Sequence, residues 1–350
     1  MTLAGLIALV LLIAVAAYAC AGGTDYGAGF WDLFAGGAER GKRPRWLIDH
    51  AMAPVWEVNN VWLIFILVIM WTGFPVLFQT LFAAMWLPLA LAAVGMVLRG
   101  AGFALRKPMR RVAGRRLYGA LFAIASLLTP FFLGAAVGGI ASGRAAPGTL
   151  PSAEVWANPT SLFFGLLTIT ATAFLGAVFL SRDAERFDAP DLVGYFRRRA
   201  LGSLAVVVLL GVAAFLVVRG DAPHLWHGLT RGVGLALVVV AVVCALATAW
   251  LLLRSRGAWT RTTAIGMVAA AVLAWGFAQR PYLIPPSLTV REAAGDPTSL
   301  TWLAFVTLVA VILVGPALVL LYWLDTHGEL ESLTDADLRR GAPGKPAEGE

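Results

Sequence analysis

The sequence predicts an all-α integral membrane protein with nine transmembrane helices. Of its 350 residues, 59% are hydrophobic and only 13% are charged. This composition is far from that of soluble domains and typical of polytopic membrane proteins. Long apolar segments and an alternation of basic residues between them support the same conclusion, so a soluble fold is excluded.

Nine apolar segments are long enough to cross a bilayer as helices. They lie near residues 3–22, 60–80, 82–105, 117–141, 161–181, 200–218, 232–253, 262–278 and 299–323. The first lacks the basic start of a secretory signal, which predicts a retained span. Residues 1–325 therefore form one polytopic transmembrane domain. Residues 326–350 are polar and rich in Gly and Pro, and we expect a disordered cytoplasmic tail.

The basic residues predict the orientation. Of the 27 Lys and Arg residues, 22 fall on one side when the loops between the nine spans are taken alternately. Because cytoplasmic loops carry the excess of basic residues, the N-terminus is predicted outside and the C-terminus in the cytoplasm. This arrangement explains the net charge of +7. Membrane lipids, and no nucleic acid, are the expected contacts of these charges.

The first candidate site is the stretch PVWEVNNVWLIFILVIMWTGFP, residues 54–75. Trp56, Glu57 and Asn60 share one face if this stretch is helical. They can form an interfacial cap, with Trp in the headgroup region and polar groups satisfying free N–H groups. Alternatively, Glu57 is a half-buried acid that passes protons or holds a polar ligand, because carboxylates inside membranes are costly and usually functional.

Asp25 is the second candidate. It lies in GGTDYGAGFWDLF, where the first predicted span reaches the cytoplasmic side, the side from which Glu57 enters the second. It can be a turn residue in a Gly-rich corner that leads into a short interfacial segment. Together with Glu57 it can instead form a proton entrance, because burial brings a carboxyl group towards a range useful for proton transfer.

The remaining polar residues give weaker signals. Arg99, near the cytoplasmic end of the third span, can extend to the interface, pair with a buried acid, or bind a quinone or lipid headgroup. The four histidines lie in loops or near helix ends, so no two face each other as haem ligands would. His224 and His227 can bind a metal, but a solvated pair is favoured and no metal site is predicted.

Several motifs resemble one known family. They are GTDYGAGFWDL (23–33), PVWEVNNVWLIF (54–65), WTGFP (71–75), LRGAGFALR (98–106) and PYLIPPSLTVREAA (281–294). On these motifs the sequence resembles subunit II of the cytochrome bd-type quinol oxidases, the membrane subunit that ligates no haem.

The resemblance implies a function within a complex in the bacterial cytoplasmic membrane. The partner would be the haem-carrying subunit I, with a small accessory peptide as a further candidate partner. The pair oxidises quinol and reduces dioxygen to water, with haem b and haem d held by the partner, and this chain is inactive alone. The implied fold is nine helices in two four-helix bundles plus one peripheral helix.

The resemblance also implies roles for the candidate residues. Asp25 and Glu57 would take up protons from the cytoplasm, and Trp56 and Asn60 would line that path. The sequence departs from the family in having Glu57 where relatives often have Asp. It has Ala104 where relatives often have an acid and Leu133 where they often have Gln, so polar contacts at these two positions are not expected.

Two other functions fit the residues. A proton-coupled secondary transporter would use Asp25 and Glu57 as its coupling-ion site, and it should contain paired broken helices near the midplane. A non-catalytic membrane scaffold would use the same residues as caps and lipid anchors.

Overall fold

The apolar segments form helices because a chain in hydrocarbon must satisfy its backbone N–H and C=O groups internally. The computed structural model describes residues 2–37, 39–52, 59–106, 112–255, 257 and 259–327. Within them the elements are α1 (Leu3–Leu33), α2 (Lys42–Met52), α3 (Val61–Gly73), α4 (Pro75–Ala84), α5 (Trp86–Arg106), α6 (Val112–Ala141), α7 (Ala153–Trp156), α8 (Pro159–Arg186), α9 (Pro190–Asp221), α10 (Pro223–Leu229), α11 (Gly232–Leu253), α12 (Thr260–Ala278), β1 (Tyr282–Ile284), β2 (Leu288–Thr289), α13 (Val290–Ala293) and α14 (Pro297–His327).

The all-helical, multi-pass membrane fold is confirmed. In the described residues, eight helices are long and apolar enough to cross a membrane, and the pair α3 and α4 raises the number to nine if it counts as one span. The figure of nine and the two four-helix bundles stay predictions. Trp56, Glu57 and residues 328–350 of the predicted tail lie outside the described residues.

The prediction of one continuous helix over residues 60–80 is wrong. The segment consists of α3 and α4, whose axes are bent by 114°. Phe74 between them has the non-helical angles φ −136° and ψ 63°, and Pro75 cannot donate the backbone hydrogen bond that would continue the helix. The Gly73 carbonyl that the break leaves free accepts a hydrogen bond from the Gly295 N–H at 2.9 Å.

A short hairpin leads to Gly295. Strands β1 and β2 pair antiparallel, and Thr289 then caps α13 in a reciprocal arrangement with Glu292. The backbone N–H and the hydroxyl of Thr289 donate to the Glu292 carboxylate, and these hydrogen bonds lower the pKa of that carboxyl. The compact unit that contains these elements ends at Leu300, and residues from Thr301 onward, which include most of α14, form a second unit.

Helix α1 is eleven residues longer than the predicted span 3–22, and it runs to Leu33. The alternative in which Asp25 is a turn residue in a Gly-rich corner is therefore wrong. Asp25 lies inside a continuous helix, and the glycines of this helix lie at contacts with neighbouring helices. Glycine is tolerated in membrane helices, and small residues at their interfaces allow backbones to approach closely.

Helix α8 packs against α1, α6 and α9. Its crossing with α1 is a contact between two glycines: a Cβ atom on Gly27 would lie 2.8 Å from the Cα atom of Gly176. Because helices in lipid associate through van der Waals packing and polar contacts, this close approach stabilises the pair of helices.

Replacing Gly27 with Ala should destabilise the protein by about 1–3 kcal/mol, because the added methyl group forces α1 and α8 apart. Thermal unfolding in detergent measures the effect. Gly202→Ala is the matched control, since Gly202 lies on α9 and a Cβ atom added there would have no neighbouring atom within 4 Å. Equal stability of the two variants would contradict the role assigned to the glycine contact.

Candidate functional site

Asp25 lies inside the helix assembly, with 4% of the residue exposed. Its Oδ2 atom accepts a hydrogen bond of 2.8 Å from the Asn59 side-chain amide. The same oxygen is 3.9 Å from Nη2 of Arg99. A buried carboxylate is expensive unless it is paired and hydrogen-bonded, and Asn59 and Arg99 supply both interactions.

Arg99 lies on α5 and is as deeply buried as Asp25, with 4% exposed. Its guanidinium carbon is 4.7 Å from the centre of the Tyr26 ring and 5.7 Å from that of Phe122, so aromatic faces flank the charge. The Nε and Nη2 atoms have no hydrogen-bond acceptor among the described residues. Of the alternatives considered for Arg99, the geometry is that of pairing with a buried acid.

The amide that contacts Asp25 belongs to Asn59, whereas the spacing argument selected Asn60. Asn59 is 2% exposed, whereas Asn60, the residue that precedes α3, is half-buried. The structure thus brings together Asp25, Arg99 and Asn59. A helical face counted from Trp56 could not identify Asn59, because the relevant neighbour is on α1 and not on the same segment.

Two tyrosines on α1 were not identified from the sequence. The hydroxyl groups of Tyr18 and Tyr26 are 3.0 Å apart and buried. Residues 18, 22, 25, 26 and 29 lie on one face of an α-helix. The signal that could have found the pair is this spacing of polar residues along α1, combined with the small residue Gly22 between them.

Another acid on α1, Asp32, is buried near the C-terminal end of this helix. Its Oδ1 atom accepts a hydrogen bond of 2.8 Å from Nε of Arg45, the residue that links this helix end to α2. In contrast, the two positions that depart from the family motifs are not deeply buried: Ala104 is exposed on α5 and Leu133 is partly exposed on α6.

The four histidines lie on three helices. His50 lies on α2, with Nδ1 2.7 Å from the Trp46 carbonyl oxygen, and His224 lies on α10, with Nε2 3.2 Å from the Gln279 carbonyl oxygen. His227 follows on the same short helix, and His327 is the last residue of α14. Within the described ranges, no group of three or more His, Cys, Asp and Glu side chains is arranged to hold a metal ion.

Relatives of known name cover most of the chain. A Bacillus subtilis (strain 168) protein provisionally named cytochrome bd menaquinol oxidase subunit II is 25% identical over an alignment of 314 residues that covers 85% of this chain and 88% of the relative. Cytochrome bd-I ubiquinol oxidase subunit 2 of Escherichia coli (strain K12) is 24% identical over an alignment of 346 residues, gaps included, that covers 85% of this chain and 87% of the relative.

A solved structure has a similar fold. A chain of the bd oxidase from Geobacillus thermodenitrificans superposes with a TM-score of 0.73 at 24% identity, over 93% of this chain and 98% of that chain. The sequence model of the family "Cytochrome bd terminal oxidase subunit II" matches residues 3–325. This match spans all the helices that position Asp25, and the chain belongs to the cytochrome bd terminal oxidase subunit II family.

Proposed function

We propose that this chain is the subunit of a terminal oxidase that admits protons from the cytoplasm. With a haem-bearing subunit I it oxidises quinol and reduces dioxygen to water in a bacterial cytoplasmic membrane. The relatives' names refer to menaquinol and ubiquinol oxidases, which supports a quinol as the substrate of the complex. Haem b and haem d are held by the partner, and a small accessory peptide is a further candidate partner.

The observation that carries the proposal is the environment of Asp25. The carboxylate is buried between helices, receives the Asn59 amide and lies beside the Arg99 charge. Burial favours the neutral acid, whereas a nearby cation and a hydrogen-bond donor favour the carboxylate. Because these effects oppose each other, modest changes around Asp25 are enough to load or release a proton.

The proposed path begins at the cytoplasmic side. Its first groups are Glu57 and Asp25, with Trp56 and Asn60 along its lining and Asn59 as the donor at its inner end. This direction follows the orientation indicated by the basic residues, with the N-terminus outside and the C-terminus in the cytoplasm. This chain carries out no redox chemistry alone, and its contribution is to deliver protons that oxygen reduction consumes.

Arg99 acts in the proposed path as the counter-charge of Asp25. A deeply buried guanidinium that lies beside a carboxylate fixes the position of negative charge without exchanging protons itself, because Arg stays protonated. Contact of Arg99 with a quinone or lipid headgroup stays a prediction from the sequence, and its burial favours the pairing with Asp25.

Asp25→Asn should lower oxygen consumption by the purified complex about 100-fold, the lower end of what a positioned proton donor contributes. Glu57→Ala should lower it in the same way, with near-normal haem content. The matched control is Asp191→Asn, because Asp191 pairs with Arg43 at the surface with both side chains more than half exposed. Normal turnover of the Asp25 variant, at normal haem content, would refute the proposal.

Arg99→Met should destabilise the complex by about 3–5 kcal/mol, because it leaves a buried carboxylate without its partner. Combining it with Asp25→Asn should recover much of this loss, which a double-mutant cycle by thermal unfolding measures. The exposed Arg43–Asp191 pair is the reference, with an expected coupling of about 0–1 kcal/mol. Additive effects at Asp25 and Arg99 would show that the two charges are not coupled.

A further inference from the structure

A chain of hydroxyl groups starts beside Asp25 and runs along α1 towards the membrane interior. Tyr26 follows Asp25 directly, and its hydroxyl group is 3.0 Å from that of Tyr18. Asp25, Tyr26 and Tyr18 are all buried.

The directions of the side chains bring the hydroxyl groups of Tyr18 and Tyr26 together. Helical side chains lean towards the N-terminus, so Asp25 and Tyr26 both point along α1 towards Tyr18. The Tyr18 ring bends the opposite way, because Gly22 leaves room for it: a Cβ atom on Gly22 would lie 2.9 Å from Cε2 of Tyr18. The two rings therefore meet on the N-terminal side of Asp25, with their hydroxyl groups 3.0 Å apart.

The same region contains N–H groups that need acceptors. Arg99 lies over the Tyr26 ring, and its Nε and Nη2 atoms have no acceptor among the described residues. Buried polar groups are almost always hydrogen-bonded, and internal water serves where protein groups do not. We expect water at these two N–H groups, next to the Asp25 carboxylate and the Tyr26 ring.

We propose that Tyr26 and Tyr18 continue the proton path beyond Asp25 towards the membrane interior. The inference rests on the proposed proton uptake and extends it to two tyrosines to which the sequence analysis assigned no role. The backbone of Tyr18 lies about 10 Å from that of Asp25 along α1, and its hydroxyl group meets that of Tyr26 between the two positions.

Hydroxyl groups suit this task because each one donates and accepts a hydrogen bond. In the transfer step, the acid at Asp25 donates its proton, through water, to the Tyr26 oxygen as Tyr26 passes its own hydrogen to the Tyr18 oxygen. Tyr18 passes its hydrogen to a water molecule on the interior side, and rotation of both hydroxyls restores the starting arrangement. Each phenol ends neutral, so the net change is one proton moved.

The test compares Tyr26→Phe and Tyr18→Phe in the purified oxidase complex. Phe keeps each ring and removes only the hydroxyl, so we expect turnover with quinol to fall about tenfold or more, within the range lost with a proton-transferring group. The solvent deuterium isotope effect on turnover should rise, because proton transfer becomes rate-limiting. The double variant should be no slower than the slower single variant, since the two groups act in series.

Tyr282→Phe is the matched control, because Tyr282 lies on β1 against the His224 ring and outside this chain of hydroxyls. It should keep wild-type turnover and isotope effect. Haem spectra and thermal unfolding of each variant identify losses of assembly. If the Tyr26→Phe complex does not assemble, the turnover and isotope effect of Tyr18→Phe test the proposal without it.

The proposal is overturned if Asp25→Asn is slow while both tyrosine variants have wild-type turnover and isotope effects. It is also overturned if the two tyrosine variants lose only stability or haem content while the complex that still assembles has an unchanged isotope effect. That is the result expected if the tyrosine pair is purely structural. If the Asp25→Asn variant has wild-type turnover, the proposed proton uptake at Asp25 is wrong, and the extension to the tyrosines is wrong with it.

Discussion

The burial of one carboxylate beside one guanidinium is the constraint on which the rest of the structure depends. Asp25 and Arg99 come from different helices, so the pair exists only if α1 and α5 are held in register. Close helix contacts at Gly27 and Gly176 keep α1 in place. A lipid-exposed Asp25 would lose both its hydrogen bond and its counter-charge, and the cost of that loss favours the packed arrangement.

Much of the fold could be predicted because hydropathy and charge report directly on the bilayer. The eight spanning helices each overlap an apolar segment of the sequence, since the membrane imposes both length and internal hydrogen bonding. The break at Phe74 could not be found this way. Both sides of it are equally apolar, and the Gly295 N–H that satisfies the interrupted backbone is more than 200 residues away.

The site was only partly predictable for a related reason. Asp25 and Arg99 are charges in apolar surroundings, and such residues are conspicuous in a sequence. Tyr18 and Tyr26 are not, because a tyrosine in an apolar run usually reports on packing or on the membrane interface. The glycines near Asp25 suggested a turn by the rules for soluble chains, whereas in lipid they serve helix contact. A secondary transporter would need paired broken helices, and the described residues contain one bent pair.

The N-terminal end of α3 lies close to the level of Asp25. Asn59, two residues before the first residue of α3, donates a hydrogen bond to the Asp25 carboxylate. Helix α1 continues eight residues past Asp25 to Leu33, a rise of about 12 Å. In the proposed function and orientation, a proton that arrives at Asp25 from the cytoplasm would have crossed part of the transmembrane electric field. A full crossing corresponds to about 2.3 kcal/mol per 100 mV, so the proposal implies that occupancy of this carboxyl group depends on membrane voltage as well as on cytoplasmic acidity.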